Sequence, residues 1–156
     1  MKRGEAATTT RPRLVVSDLD GTLADIEHRL HWIHREDPDW TAFFLACGDD
    51  RPIRNTITVL RTLHAAGYEV VIASGRGEVA RRETIDWLER HDVPFDRLIL
   101  RRVGDERHDD EVKTEMVREH GLDPADTLVV LEDRASVVQV WRRLGFHVFQ
   151  VADGDF

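Results

Sequence analysis

Leu14-Val15-Val16-Ser17-Asp18-Leu19-Asp20-Gly21-Thr22-Leu23 decides the fold: an apolar run the length of a buried strand, two carboxylates at its end, then a tight turn. Strand side chains alternate faces, so Asp18 and Asp20, two apart, project to the same side and can act on one substrate atom. Carboxylates at a strand end cost desolvation free energy unless a cation or hydrogen-bond donors meet them. The pair therefore implies a metal, a reaction, or both.

Outward from that stretch, short β-rich runs alternate with longer helical ones, the pattern of a parallel sheet covered by helices on both faces. The strands are expected at Arg13–Ser17, Glu69–Ala73, Arg97–Leu100, Thr127–Leu131 and His147–Val151. The helices are expected near Ile53–Ala66, Glu78–His91, Asp110–His120 and Ser136–Leu144. This is a single doubly wound, Rossmann-like α/β domain. Ligands in such sheets bind beyond the C-terminal strand ends, where the strand order switches. The polar outliers collect there: Asp18 and Asp20 after the first strand, Ser74-Gly75-Arg76-Gly77 after the second, Glu132-Asp133-Arg134 after the fourth. Lys113 lies just inside the helix that follows the third.

The chain of 156 residues is one domain by size, with 33% charged and 41% hydrophobic residues, a globular profile. The net charge of −8 argues against broad nucleic-acid coating but leaves room for a local arginine pocket that takes one phosphate. No apolar run reaches membrane-spanning length. Met1 to Arg13 lacks an apolar signal core and reads as a flexible polar tail, and the single Cys47 excludes an internal disulfide and fits a reducing cytoplasm.

These residue types suit phosphoryl transfer. Asp18 can attack phosphorus to give an aspartyl-phosphate, splitting a hard hydrolysis into two easier steps. Asp20 is placed to protonate the leaving oxygen and then to take a proton from the attacking water. The nucleophile and the phosphate repel each other, which calls for a hard divalent cation, Mg²⁺, with Asp18, Asp20, Glu132 and Asp133 as its oxygen ligands. Lys113 adds a fixed positive charge. Ser74 and the amides around Gly75, taken to sit at a helix N-terminus, would cradle the phosphate oxygens.

Asp18–Thr22, Ser74, Lys113 and Glu132-Asp133 together resemble the four motifs of the haloacid dehalogenase (HAD) superfamily of phosphohydrolases. Leu131–Gly145, Val151–Phe156, Gly104–Lys113 and Ser74-Gly75-Arg76 are similar to the phosphatase half of bacteriophage polynucleotide kinase/3′-phosphatase. The likeness covers residues 14–156 and is loosest between Ile26 and Ile53. It implies that Asp18 is the nucleophile and Asp20 the acid/base, that Thr22 belongs to the phosphate-binding motif, that Arg29 and Arg76 are arginines needed for phosphatase action, and that Asp109 and Lys113 form an Asp/Lys pair. The family has two aspartates where this chain has Glu132 and Asp133, which favours Asp133 as metal ligand.

The resemblance implies 3′ ends of DNA or RNA as substrate. Only about thirty residues separate Ala24 from the helix near Ile53, so the cap is minimal or absent and the mouth open, as the end of a polymer requires. No Gly-x-x-x-x-Gly-Lys-Ser/Thr loop occurs in this sequence, so a polynucleotide kinase, or a ligase, would be a separate partner. Two rivals remain: a phosphatase of nucleotides or other small metabolites, and a non-catalytic domain that uses the fold for binding. His28, His31 and His34 read as a helix surface. Trp32, Trp40, Trp87 and Trp141 read as packing residues, with Trp32 or Trp40 as a base-stacking platform the alternative. Cys47 reads as a small buried apolar residue.

Overall fold

The computed structural model describes residues 11–154. Met1–Thr10, most of the expected tail, and Asp155-Phe156 lie outside the described residues. Arg13, the last residue of that tail, is bound to Asp126 through its side chain and through its backbone N–H.

The strands are β1 (Leu14–Ser17), β2 (Ala24–Asp25), β3 (Arg51–Pro52), β4 (Glu69–Gly77), β5 (Arg97–Arg101), β6 (Thr127–Glu132) and β7 (Val148–Gln150). The helices are α1 (Trp40–Leu45), α2 (Arg54–Ala65), α3 (Arg81–Arg90), α4 (Asp109–Glu119) and α5 (Ala135–Arg143). Five strands form one parallel sheet in the order β5-β4-β1-β6-β7. The chain leaves β1 for β4 and β5 on one side, then returns to β6 and β7 on the other. The switch point therefore falls at the C-terminal end of β1, where Asp18 and Asp20 stand.

Strand alternation divides the core in two. Leu14 and Val16, Val71 and Ala73, and Val130 face one way, onto Val112 and Met116 of α4 and Val137, Val138 and Trp141 of α5. Val15, Val70, Ile72, Val129 and Leu131 face the other way, onto Ile57 and Leu60 of α2 and Trp87 and Leu88 of α3. With both faces covered, the strands can be apolar throughout. Among the described residues, no helix is long and apolar enough to cross a membrane.

Two features differ from the sequence expectation. β4 does not stop at Ala73. After an irregularity it rejoins β5 at Gly77↔Arg101, so Ser74-Gly75-Arg76 continue the strand edge. Gly75 inside that tripeptide and Gly77 just after it hide the pairing from a propensity reading. The stretch between β1 and α2 is a small insert: β2 pairs antiparallel with β3, enclosing α1 and two 3-10 turns, Glu27–Trp32 and Ala46–Asp49. These pieces are too short for a periodic signal.

Candidate active site

An ion cluster lies at the C-terminal end of β1. Asp18 caps β1 and receives Lys113 Nζ on Oδ1 at 2.7 Å. Lys113, only 2% exposed although charged, reaches in from the second turn of α4 and also donates to the Ala73 carbonyl at the end of the β4 ladder. Its ammonium lies 3.5 Å from Glu132 Oε2. Burial works against the Lys113 charge, but Asp18 and Glu132 outweigh it and raise the ammonium pKa above its ordinary value. Burial pushes the Asp18 acid up, and the Glu132 charge pushes the same way.

Asp133 completes the cluster. Its Oδ1 accepts from the Thr22 hydroxyl at 3.1 Å, so this hydroxyl, expected to hold phosphate, is committed to orienting a carboxylate. Burial and the Asp18 charge push the Asp133 acid up to about 6. Asp18, Glu132 and Asp133 each offer an oxygen within 4.8 Å of the others, all from buried residues. Gly21 gives the cluster its room: its φ is +81°, and a Cβ there would stand 2.1 Å from Asp133 Oδ2. Hard oxygen donors crowded against their own repulsion, beside a glycine that cannot gain a side chain, fit a hard divalent cation. Glu132 is the least free of the three, since it also takes the Trp141 indole N–H and two backbone amides.

The Asp20 side chain is not brought into that set. β1 has ended, strand alternation no longer governs, and the turn delivers Asp20 Oδ1 to two guanidiniums instead. Arg29 Nη2 donates at 2.8 Å and Arg76 Nε at 3.2 Å, with Arg76 Nη2 adding a third bond. Burial raises the Asp20 acid, yet the Arg76 and Arg29 charges overcome this and hold it below the ordinary carboxylate range. Both arginines are almost wholly buried.

Around the rim, the Ser74 hydroxyl accepts the Arg76 amide at 3.1 Å. Because Ser74 and Gly75 extend β4, and the next α-helix starts only at Arg81, neither lies at a helix N-terminus. Gly75 lets Asp109 approach, since a Cβ would meet its Oδ1 at 2.7 Å. Asp109, at the start of α4, bridges Arg101 and Arg134, while Arg101 Nε donates to the Gly75 carbonyl. This ties β4, β5, α4 and the loop after β6 together at one edge.

The family described as "Polynucleotide kinase PNKP phosphatase domain" matches residues 12–156. The chain belongs to this family. Like other PNKP phosphatase domains of the HAD type, it is a phosphoric monoester hydrolase. A chain of the solved Pnkp1/Rnl/Hen1 complex is 32% identical, with a TM-score of 0.79 over 95% of the present chain. A protein of Autographa californica nuclear polyhedrosis virus, named for polynucleotide kinase and RNA ligase activities, is 26% identical over 85% of the chain. A haloacid dehalogenase-like hydrolase from Streptococcus pneumoniae shares the fold with a TM-score of 0.62 at 18% identity. The PNKP-type domain spans 48% of the first relative's chain and 18% of the viral protein.

The candidate site residues of this PNKP-type sequence gather around the C-terminal end of β1, most of them in two groups. Asp18, Lys113, Glu132, Asp133 and Thr22 form the carboxylate cluster. Asp20, Arg29 and Arg76 form a charge cage beside it, and Ser74, Gly75 and Asp109 border both. The sequence reading missed Asp50, a buried carboxylate inside the cage, and Arg101, the rim hub. Asp50 reads as a turn former in Gly48-Asp49-Asp50. The available signal was indirect: two buried arginines need more negative charge than Asp20 alone supplies.

Proposed function

We propose that this chain is a Mg²⁺-dependent phosphomonoesterase that removes 3′-terminal phosphate from polynucleotides through an aspartyl-phosphate. One observation supports the chemistry most: Asp18 Oδ1 is fixed by Lys113 Nζ at 2.7 Å, while a second carboxylate, Asp20, is held separately by two arginines two residues on. One carboxylate stands among charges that fix a nucleophile; the other stands apart, where it can exchange a proton.

In this account an Asp18 oxygen attacks phosphorus as the ester oxygen departs, and Asp20 protonates that oxygen. Asp20 then accepts a proton from the water that attacks the aspartyl-phosphate, returning phosphate and the Asp18 carboxylate. Lys113 keeps the nucleophile oriented and offsets charge on the transferring group. Arg29 and Arg76 are buried behind Asp20 and act through it. The negative charge of the incoming phosphate raises the proton affinity of Asp20, which favours the acid form needed for ester cleavage. Asp18 and Asp133, with Glu132 behind them, would hold the Mg²⁺, which when bound supplies positive charge against the mutual repulsion of carboxylates and phosphate.

The polynucleotide substrate is supported by the family, by the short insert over the cleft and by the relatives, one from a complex described as an RNA repair complex. The same relatives support a polynucleotide kinase or ligase as the working partner. The test compares a 3′-phosphorylated oligonucleotide with nucleoside monophosphates in the presence of Mg²⁺. The oligonucleotide should have much the higher kcat/KM; preference for the mononucleotides would make this a small-metabolite phosphatase.

A further inference from the structure

We infer that Asp50, on the small insert, is a positioning residue for the Asp20 step: it fixes the two guanidiniums that grip Asp20 and so sets how that carboxyl meets the leaving oxygen. The inference rests on the phosphomonoesterase reading above. Asp50 Oδ1 takes Arg29 Nε at 2.7 Å and His28 Nε2 at 2.8 Å. Its Oδ2 takes Arg29 Nη2 at 2.8 Å and Arg76 Nη2 at 3.1 Å. The Asp50 side chain is wholly buried, and its backbone carbonyl receives the Trp87 indole N–H at 2.8 Å. Arg29 is fixed further by the Phe43 carbonyl and ring, and Arg76 by Thr84 Oγ1.

Two carboxylates thus share two guanidiniums. The Asp20 side chain is 19% exposed, whereas that of Asp50 has no exposed surface. Arg29 meets Asp50 edge-on through two bonds, which sets the plane of its guanidinium and leaves Nη2 to span both carboxylates. Without the Asp50 charge the two cations would turn wholly onto Asp20 and pull it off its line. A buried ion pair is weak evidence for stability. Three of the four side-chain contacts to Asp50 come from the groups that grip Asp20, which is an arrangement for aiming Asp20.

Loss of aim should fall on the step that needs a proton. The p-nitrophenolate of p-nitrophenyl phosphate leaves as a stable anion, whereas the sugar alkoxide of a 3′-phosphorylated oligonucleotide must be protonated. The constant kcat/KM covers the steps up to departure of the leaving group and not the later hydrolysis that both esters share. Asp50→Asn should lower it about 10- to 100-fold on the oligonucleotide, the usual cost of losing an outer-shell partner, with far less effect on kcat/KM for the aryl ester. In an Asp20→Asn background it should cost nothing more, because both changes disable one unit. Equal losses on the two esters, or losses that multiply in the double variant, would make Asp50 merely structural and overturn the inference. Should Asp50→Asn not fold, Trp87→Phe decides, as it keeps the aromatic core and removes only the anchor on the Asp50 carbonyl. That variant should lose about fivefold on the oligonucleotide, the worth of one hydrogen bond, and little on the aryl ester; no loss, or an equal one, refutes the inference. A wild-type protein that hydrolyses neither ester removes the phosphatase reading, and this inference with it.

Discussion

Asp20 and Asp18 are two residues apart and live in opposite electrostatic surroundings. Two guanidiniums keep Asp20 below the ordinary carboxylate range; burial and Glu132 push Asp18 above it. A nucleophile works ionised and a general acid works protonated, so these roles require a bound cation to lower Asp18 and the negative charge of the incoming phosphate to raise Asp20. The cage that holds Asp20 is also a structural commitment. Arg29→Met would leave Asp20 and Asp50 with a single cation in a dry site, so it should destabilise the fold by about 3–5 kcal/mol, read as a fall in the denaturant midpoint. A shift below about 1 kcal/mol would mean the carboxylates are neutral or hydrated there. At this scale the sequence placed Asp18, Asp20, Lys113 and Asp133 at one edge of the sheet, because strand ends and motif spacing locate them there. It did not reveal Asp50, since nothing local distinguishes a buried counter-charge from the turn-forming aspartates beside it. The split between Asp20 and the metal set was hidden too: alternation gives the face of a strand residue but says nothing once the ladder ends at Ser17.

Among the elements, the β1 turn does most to hold the carboxylates together. Leu19 O accepts the amides of Thr22, Leu23 and Ala24, which curls the chain so that Gly21 lies against Asp133. Gly21→Ala would combine an unfavourable φ with a Cβ inside the carboxylate cluster. The backbone part alone should cost about 1–2 kcal/mol, and Asp133 must also move. Turnover should fall together with the Mg²⁺-induced rise in melting temperature; an unchanged Mg²⁺ response would take Asp133 out of the metal site. Strand order and two-sided helix cover were legible because apolar runs and amphipathic stretches alternate regularly. The insert was not, because β2 and β3 are two residues each and α1 is six, and they exist through contacts rather than propensity.

For the molecule as a whole, the crowded carboxylates make stability depend on pH and cation together. The Asp133 acid rises from 3.8 to about 6 in the folded chain, so the folded state binds this proton more tightly than the unfolded one. That contribution is complete below the ordinary value and is lost as pH rises through about 6, and Asp18 acts in the same sense. Without divalent cation, Asp133→Asn should therefore gain melting temperature over the wild type as pH is raised from about 5 to about 7.5. Mg²⁺ should stabilise the wild type more at the higher pH, where the ligands are ionised, and should stabilise Asp133→Asn little at either. The most direct test of the account is to trap the covalent step. The protein is mixed with a 3′-phosphorylated oligonucleotide and Mg²⁺, quenched in acid during turnover, reduced with borohydride and mapped by mass spectrometry. Reduction at Asp18, absent from Asp18→Asn, is the predicted result; turnover with no reduced carboxyl, or with reduction at another residue, would contradict it.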